Sequence, residues 1–305
     1  MFTFVLLMIA GGFCGYMLQK KAFPDVMSVI TWLVYALLFL LGMEVGANEQ
    51  LLSSLHTIGV SGLVVAVVST LGSCLMAALL WKWAGGELRC GSSSHRADTE
   101  VSKGKSPLKD SFVIISFFVA GIVSGLLFPC ITGYVRDISF VVLCVMLFCV
   151  GFGLGCKPSM LKRFRNLSPK LILLPLATIV GTLSACLVLS LFMEYSTSEV
   201  LAVGSGFGYY SLSSILISRS LGAELGTVAL LCNIVRELIV LLGAPLLARM
   251  FGVLAPISAG GATTMDSTLP VIMRTLGDDF VLLSMFHGFL VDFSVPFLVT
   301  FFCSL

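Results

Sequence analysis

The chain has 305 residues, 58% of them hydrophobic and only 11% charged, with a formal net charge of +2. Soluble proteins run at roughly 45–50% apolar and 25% charged, so no soluble domain hides this much apolar surface, and the chain reads as an all-α polytopic membrane protein. So small a net charge gives no footing for nucleic acid. None of the ten cysteines forms a CxxC pair and nearly all sit inside apolar runs, which suits buried small hydrophobes better than a metal site or a disulfide framework.

Apolar runs long enough to span lie at about 1–18, 26–46, 57–81, 111–131, 138–156 and 170–193. A crossing helix needs about 20 residues. The first run lacks a positive flank before it and is followed by Lys20 and Lys21, so it reads as a retained helix and not a cleaved signal peptide. Then come an interrupted run at 200–218, a span at 226–248, a second interrupted run at 255–273 and a last span at 280–303. Eight crossings follow if the interrupted runs turn back, ten if they cross.

Lys and Arg in the loops orient the chain. Lys20 and Lys21 follow the first span. Lys82, Arg89, Arg96, Lys103, Lys105 and Lys109 follow the third, and Lys157, Lys162, Arg163, Arg165 and Lys170 the fifth. Through the sixth span the other side offers only Arg136. Both termini are therefore expected outside. The 82–110 stretch is a polar cytoplasmic loop in which His95 is a solvated bystander.

Two repeats are visible. In the first, 1–81 and 111–193 form three-helix units: Gly11 and Gly15 recur as Gly121 and Gly125, LFLLGMEVG (38–46) as LFCVGFGLG (147–155), and TLGSCL (70–75) as TLSACL (182–187). Three crossings reverse orientation on the second copy, which makes these inverted-topology repeats, a common transporter architecture. The second repeat lies in the 198–303 region. GSGFGYYSLSSILISRSLG (204–222) and AGGATTMDSTLPVIMRTLG (259–277) match at Gly206/Gly261, Ile217/Ile272, Arg219/Arg274, Leu221/Leu276 and Gly222/Gly277. Each opens on small residues, passes through hydroxyls and closes on a short apolar helix. Paired interruptions of this kind point to a transporter's binding site; two ordinary loops between helices are the plainer alternative.

Ionisable groups at membrane depth are costly and mark candidate sites. Arg236 and Glu237 lie mid-span in LCNIVRELIVLLGAP; adjacent on a helix, they face different directions, so each needs its own partner. Asn233, one turn earlier, adds a hydrogen-bonding group on the side of Glu237. Asp266 precedes STLP as an N-cap, a reading compatible with a carboxylate beside a cavity; its counterpart in the first run is Ser211. Glu44 is either a site group or interfacial, like Glu49. His287 and Asp292 sit in the last span as either proton-handling or core groups. A set richer in acids than bases favours a cation. Helix N-termini at the two breaks, with Ser205, Ser211 and Thr264 nearby, suit a carboxylate. Together these describe an amino acid with an extra positive charge.

GSGFGYYSLSSIL, IVRELI, GGATTMDSTLPVIMRT and FHGFLVDFSVP, in this order and spacing, resemble the LysO-type lysine exporters of bacteria, with LLGMEVG a less specific match. That resemblance implies an inner-membrane exporter of L-lysine and close basic analogues such as thialysine, with both termini outside. It carries functional carboxylates onto Glu237 and Asp266, and an early acidic position onto Glu44 or Glu49. Alternating access with proton or cation antiport is the expected mechanism. No GxxxxGK[ST] motif is present to drive transport by ATP, and no cofactor is implied. The alternatives are a carrier of another basic amino acid, organic cation or organic acid, a membrane enzyme (though GxGD and HExxH are absent), or an inert scaffold, for which a mid-span Arg–Glu pair would be a costly ornament.

Overall fold

The structure, a computed structural model, describes residues 2–18, 26–47, 59–84, 107–128, 132–156 and 169–305. Lys20, Lys21, Glu49, Arg89, His95, Arg96, Lys103, Lys105, Lys157, Lys162, Arg163 and Arg165 lie outside the described residues. Among the described residues every regular element is helical. The first half holds α1 (Phe2–Leu18), α2 (Val26–Gly46), α3 (Gly59–Trp83), α4 (Pro107–Leu127), α5 (Thr132–Gly155) and α6 (Leu174–Ser190), the last preceded by a 3-10 turn at Pro169–Leu173. Among the described residues five stretches are long and apolar enough to cross a membrane: Ser28–Gly46, Gly59–Trp83, Lys170–Ser190, Ala223–Phe251 and Asp278–Cys303. Shorter apolar stretches at Ile9–Leu18, Ser116–Leu127 and Asp137–Gly153 fall in the other expected spans.

Polarity runs inside out. Leu187, Phe293, Phe297 and Phe301 are exposed, whereas Ser73, Thr178, Thr182, Asn233, Arg236, Glu237 and His287 are buried. Without a hydrophobic drive between helices, close packing of small residues must hold them together. α1 packs on α5 and α2 on α4, while α3 packs on α6. A Cβ on Gly11 would collide with the Phe148 carbonyl of α5; one on Gly121, 110 positions later, would collide with the Phe39 carbonyl of α2. Gly15 likewise abuts Phe152, and Gly125 abuts Met43. Glycines at corresponding positions thus make corresponding contacts.

The second half is built differently. α7 (Thr197–Gly204) starts on a capping box: Glu199 N–H donates to Ser196 Oγ (3.3 Å) and Ser196 N–H to Glu199 Oε2 (2.7 Å), satisfying two otherwise unpaired donors. It breaks at Ser205–Tyr209 before α8 (Tyr210–Leu221), and the long α9 (Ala223–Phe251) follows. α10 (Ala255–Gly260) runs into a 3-10 turn at Gly261–Met265, then α11 (Leu269–Leu276), a second turn at Asp278–Phe280, and α12 (Val281–Cys303).

Each broken segment leaves and returns at one end of the bundle. Glu194 and Tyr195 before α7 and Glu224 after α8 line a single cavity of about 860 Å³, with Val60 and Ser61 from the start of α3. α9, about 43 Å long at 1.5 Å per residue, carries the chain to the other end. There Lys170 Nζ sits 3.3 Å from the Trp83 carbonyl and 4.5 Å over its ring. α12 makes the opposite journey: it starts against the Pro169–Leu173 turn, and its last residues, Phe302 and Cys303, pack in one cluster with Leu221 and Tyr195. The α10–α11 segment therefore begins and ends at the end opposite to that of α7–α8.

Candidate functional site

The two breaks meet in the middle. Ala262 N–H donates to the Phe207 carbonyl (2.9 Å), so the unwound backbone of one break satisfies that of the other. Such contact requires glycine: at Gly261 (φ +60°) a Cβ would collide with the Phe207 carbonyl, and at Gly208 (φ +91°) it would press on Gly260 O at 3.2 Å. Phe207 itself holds φ +46°, a region L-residues rarely occupy. Asn233 on α9 braces the turn. Its Oδ1 accepts Gly208 N–H (2.7 Å), and its Nδ2 donates to Ala229 O (2.8 Å) and Ser213 Oγ (3.3 Å). Asn233 therefore serves the first break and does not join Glu237, the side on which the sequence reading placed it.

Arg236 is almost wholly buried. Nε donates to Ala259 O (2.8 Å), Nη2 to Ser258 O (3.3 Å) and Nη1 to Thr182 Oγ1 (3.3 Å). Ser258 and Ala259 lie at the end of α10, where carbonyls lack intrahelical donors and the helix carries partial negative charge. The guanidinium also lies 5.5 Å from the Phe207 ring centroid, within cation–π range. One cation thus holds the end of α10 and the turn of the first break together.

His287 sits at a second junction. Nε2 is 2.8 Å from Thr178 Oγ1 and Nδ1 is 3.1 Å from Thr264 Oγ1. Thr178 Oγ1 lies 2.6 Å from Ser258 Oγ, which donates to Ser73 O (2.9 Å), and Thr264 Oγ1 reaches Gly261 O (2.8 Å) and Ser284 O (2.9 Å). The imidazole therefore links α12 to α6, α10, the second break and, through Ser258, α3. Ser205 Oγ bonds back to Leu201 O (2.6 Å), and Ser211 lies close to the Tyr209 hydroxyl.

The carboxylates gather on another side. Ser267 Oγ donates to Glu237 Oε1 (2.5 Å) and lies 3.3 Å from Asp266 Oδ1, which also accepts Ser267 N–H (2.6 Å). Asp266 is not the N-cap of α11; that position is Thr268, with no side-chain cap, and Asp266 instead ends the 3-10 turn at φ −134°, ψ −100°. Asp266 and Glu44 are both within electrostatic range of Glu237. Glu44 Oε1 also accepts from Ser139 Oγ (3.1 Å). Glu237 Oε2 is the one buried side-chain oxygen without a hydrogen-bond partner among the described residues. A buried carboxylate oxygen in that condition costs several kcal/mol unless something cationic or a proton meets it.

The family described as "Lysine exporter LysO" matches residues 5–94 and 115–303. The chain belongs to the LysO lysine exporter family. It is 31% identical over 305 residues to "Lysine exporter LysO" of Escherichia coli (strain K12), covering 99% of each chain. It is 29% identical over 196 residues to a "Putative lysine exporter" of Haemophilus influenzae, covering 63% of this chain and 97% of the relative. No solved structure matches. LysO proteins are transporters and not enzymes, and the chain is a multi-pass membrane protein of that family.

Of the residues singled out in sequence, Glu237, Asp266 and Glu44 come together, while Arg236, Asn233, Thr264 and His287 form the bracing around the breaks. Ser267, Thr178, Ser258 and Thr182 were missed. Only Ser267 carried a signal, standing beside Asp266; the others are hydroxyls in apolar helices whose partners lie more than fifty residues away.

Proposed function

We propose that this protein exports L-lysine, and close basic analogues such as thialysine, from the cytoplasm across the bacterial inner membrane by alternating access. The carrying observation is Glu237 Oε2, buried and without a partner beside Asp266 and Glu44, where α9 meets the second break through Ser267. A primary ammonium supplies the missing donor there. The relatives' names supply the cargo. Lysine binds from the cytoplasm with its side-chain ammonium at Glu237 or Asp266 and its carboxylate near a break; a proton from outside then takes the same negative charge and releases it. Competition of proton and ammonium for one carboxylate is what couples antiport.

In this reading the chain crosses eight times, at α1–α6, α9 and α12. The two broken segments re-enter from opposite faces, and both termini are outside. The ends at which those segments return, and the loop charges, support this arrangement. The recurring glycine contacts of α1–α5 and α2–α4 support inverted repeats. The test is lysine accumulation by proteoliposomes holding the purified protein, with and without an imposed pH gradient. Lysine moving against its gradient only when protons run the other way is the expected result. Exchange of lysine with no response to the pH gradient removes the proton from the mechanism, and no lysine exchange removes the cargo.

A further inference from the structure

The offset relating the two breaks, 55 positions between Gly206 and Gly261, continues into the helices that follow them. It brings Glu224 onto Asp279 at the two helix starts and Glu237 onto Asp292 within α9 and α12. The two helices run in opposite directions, so this is an inverted pair. Both carboxylates are 4% exposed. Glu237 reaches across to the second break through Ser267. Asp292 lies near the first: α12 packs on α7 and α8, its neighbours Val291 and Val295 cluster with Phe207 and Tyr209, and Asp292 lies within electrostatic range of both Tyr209 and Asp266. Each long helix thus presents a carboxylate to the break of the other unit. Asp266 is within electrostatic range of both.

Two facts separate this from a chance acidic cluster. The one buried guanidinium among the described residues, Arg236, is committed to carbonyls and a hydroxyl and does not serve these carboxylates. Glu237 Oε2, in a carboxylate within electrostatic range of Asp266, has no donor. Lysine carries two ammonium groups, one at each end of its carbon chain, and a single carboxylate station accounts for only one of them.

We propose that Asp292 is the second ammonium station of the lysine site, related to Glu237 by the internal pseudo-symmetry and flanked by the hydroxyls of Tyr209 and Ser211. It rests on the lysine reading above. With one ammonium at Glu237 and the other at Asp292, the cargo lies across the contact between the two breaks, touching both repeats at once. A ligand held so is sensitive to any movement of one repeat against the other, as alternating access requires.

The test is binding of labelled lysine to the purified full-length protein in detergent, in parent, Asp292→Asn and Asp292→Glu forms, with cadaverine as competitor. Cadaverine is lysine without its carboxylate and keeps both ammonium groups. Removing a charge-assisted contact weakens binding by about tenfold or more, so Asp292→Asn is expected to lose that much for lysine and for cadaverine, and Asp292→Glu to recover most of it. Melting temperatures of the three forms separate lost binding from lost folding. An Asn variant that binds lysine within about twofold of the parent overturns the proposal, as does a Glu variant no better than Asn when both melt like the parent. A parent that binds no lysine overturns the cargo reading itself, a result distinct from either.

Discussion

Arg236 and Glu237 are neighbours on one helix, both buried in a membrane protein, and their surroundings treat them in opposite ways. Arg236 has a carbonyl or hydroxyl on each of its three nitrogens and a ring against its face. Glu237 has one oxygen satisfied and the other bare. A fully partnered buried charge is part of the framework; a half-partnered one is a group waiting for a ligand. The stability of this molecule and its transport are therefore expected to depend on different members of the same pair.

The sharpest way to break that contrast is to remove Arg236. Arg236→Ala strips the end of α10 of its donors and opens a hole beside Phe207, and a loss of about 3–5 kcal/mol is expected from the unpaired carbonyls and the cavity together, read as a large fall in melting temperature of the purified protein. If it melts like the parent, the bracing role is wrong. Next is Asn233→Leu. It leaves the buried Gly208 N–H without its partner, for about 1–3 kcal/mol, and unfolding in denaturant is the measurement. Gly261→Ala forces a Cβ into the Phe207 carbonyl at positive φ, with a cost of order 1–3 kcal/mol; chemical unfolding that matches the parent would show that the breaks are not in contact. Ser267→Ala acts on the site itself. It removes the hydrogen bond of Glu237, for about 1–3 kcal/mol of stability, and should change lysine affinity by several-fold, as a binding titration beside a melt will show.

Among the described residues, sequence placed the eight long helices to within about six residues at either end, the fifth opening at Thr132 and not 138, because apolar length is a local property. The fourth opens at Pro107, ahead of the expected 111, because proline suits a first helical turn and extends the helix into polar sequence. The breaks were legible from their glycines and repeated pattern. Their mutual contact was not, since nothing local in Phe207 announces a positive φ or a bond to Ala262. Glu237 and Asp266 stood out because a carboxylate in an apolar run is conspicuous. Which way Asn233 turned, and the alliance of His287 with Thr178, 109 positions away, depend on how distant helices pack. The pairing of Glu237 with Asp292 lay in the sequence at the offset of the breaks, but a shared offset gains meaning only once both helices are seen to face opposite breaks.

The most direct measurement is counterflow of labelled lysine in proteoliposomes holding the parent or the Glu237→Gln protein, with the melting temperature of each taken beside it. The account predicts that the parent exchanges lysine, and that Glu237→Gln melts no lower than the parent yet loses exchange. A Glu237→Gln protein that exchanges lysine at the parental rate would contradict it, and so would one that loses exchange only because it unfolds.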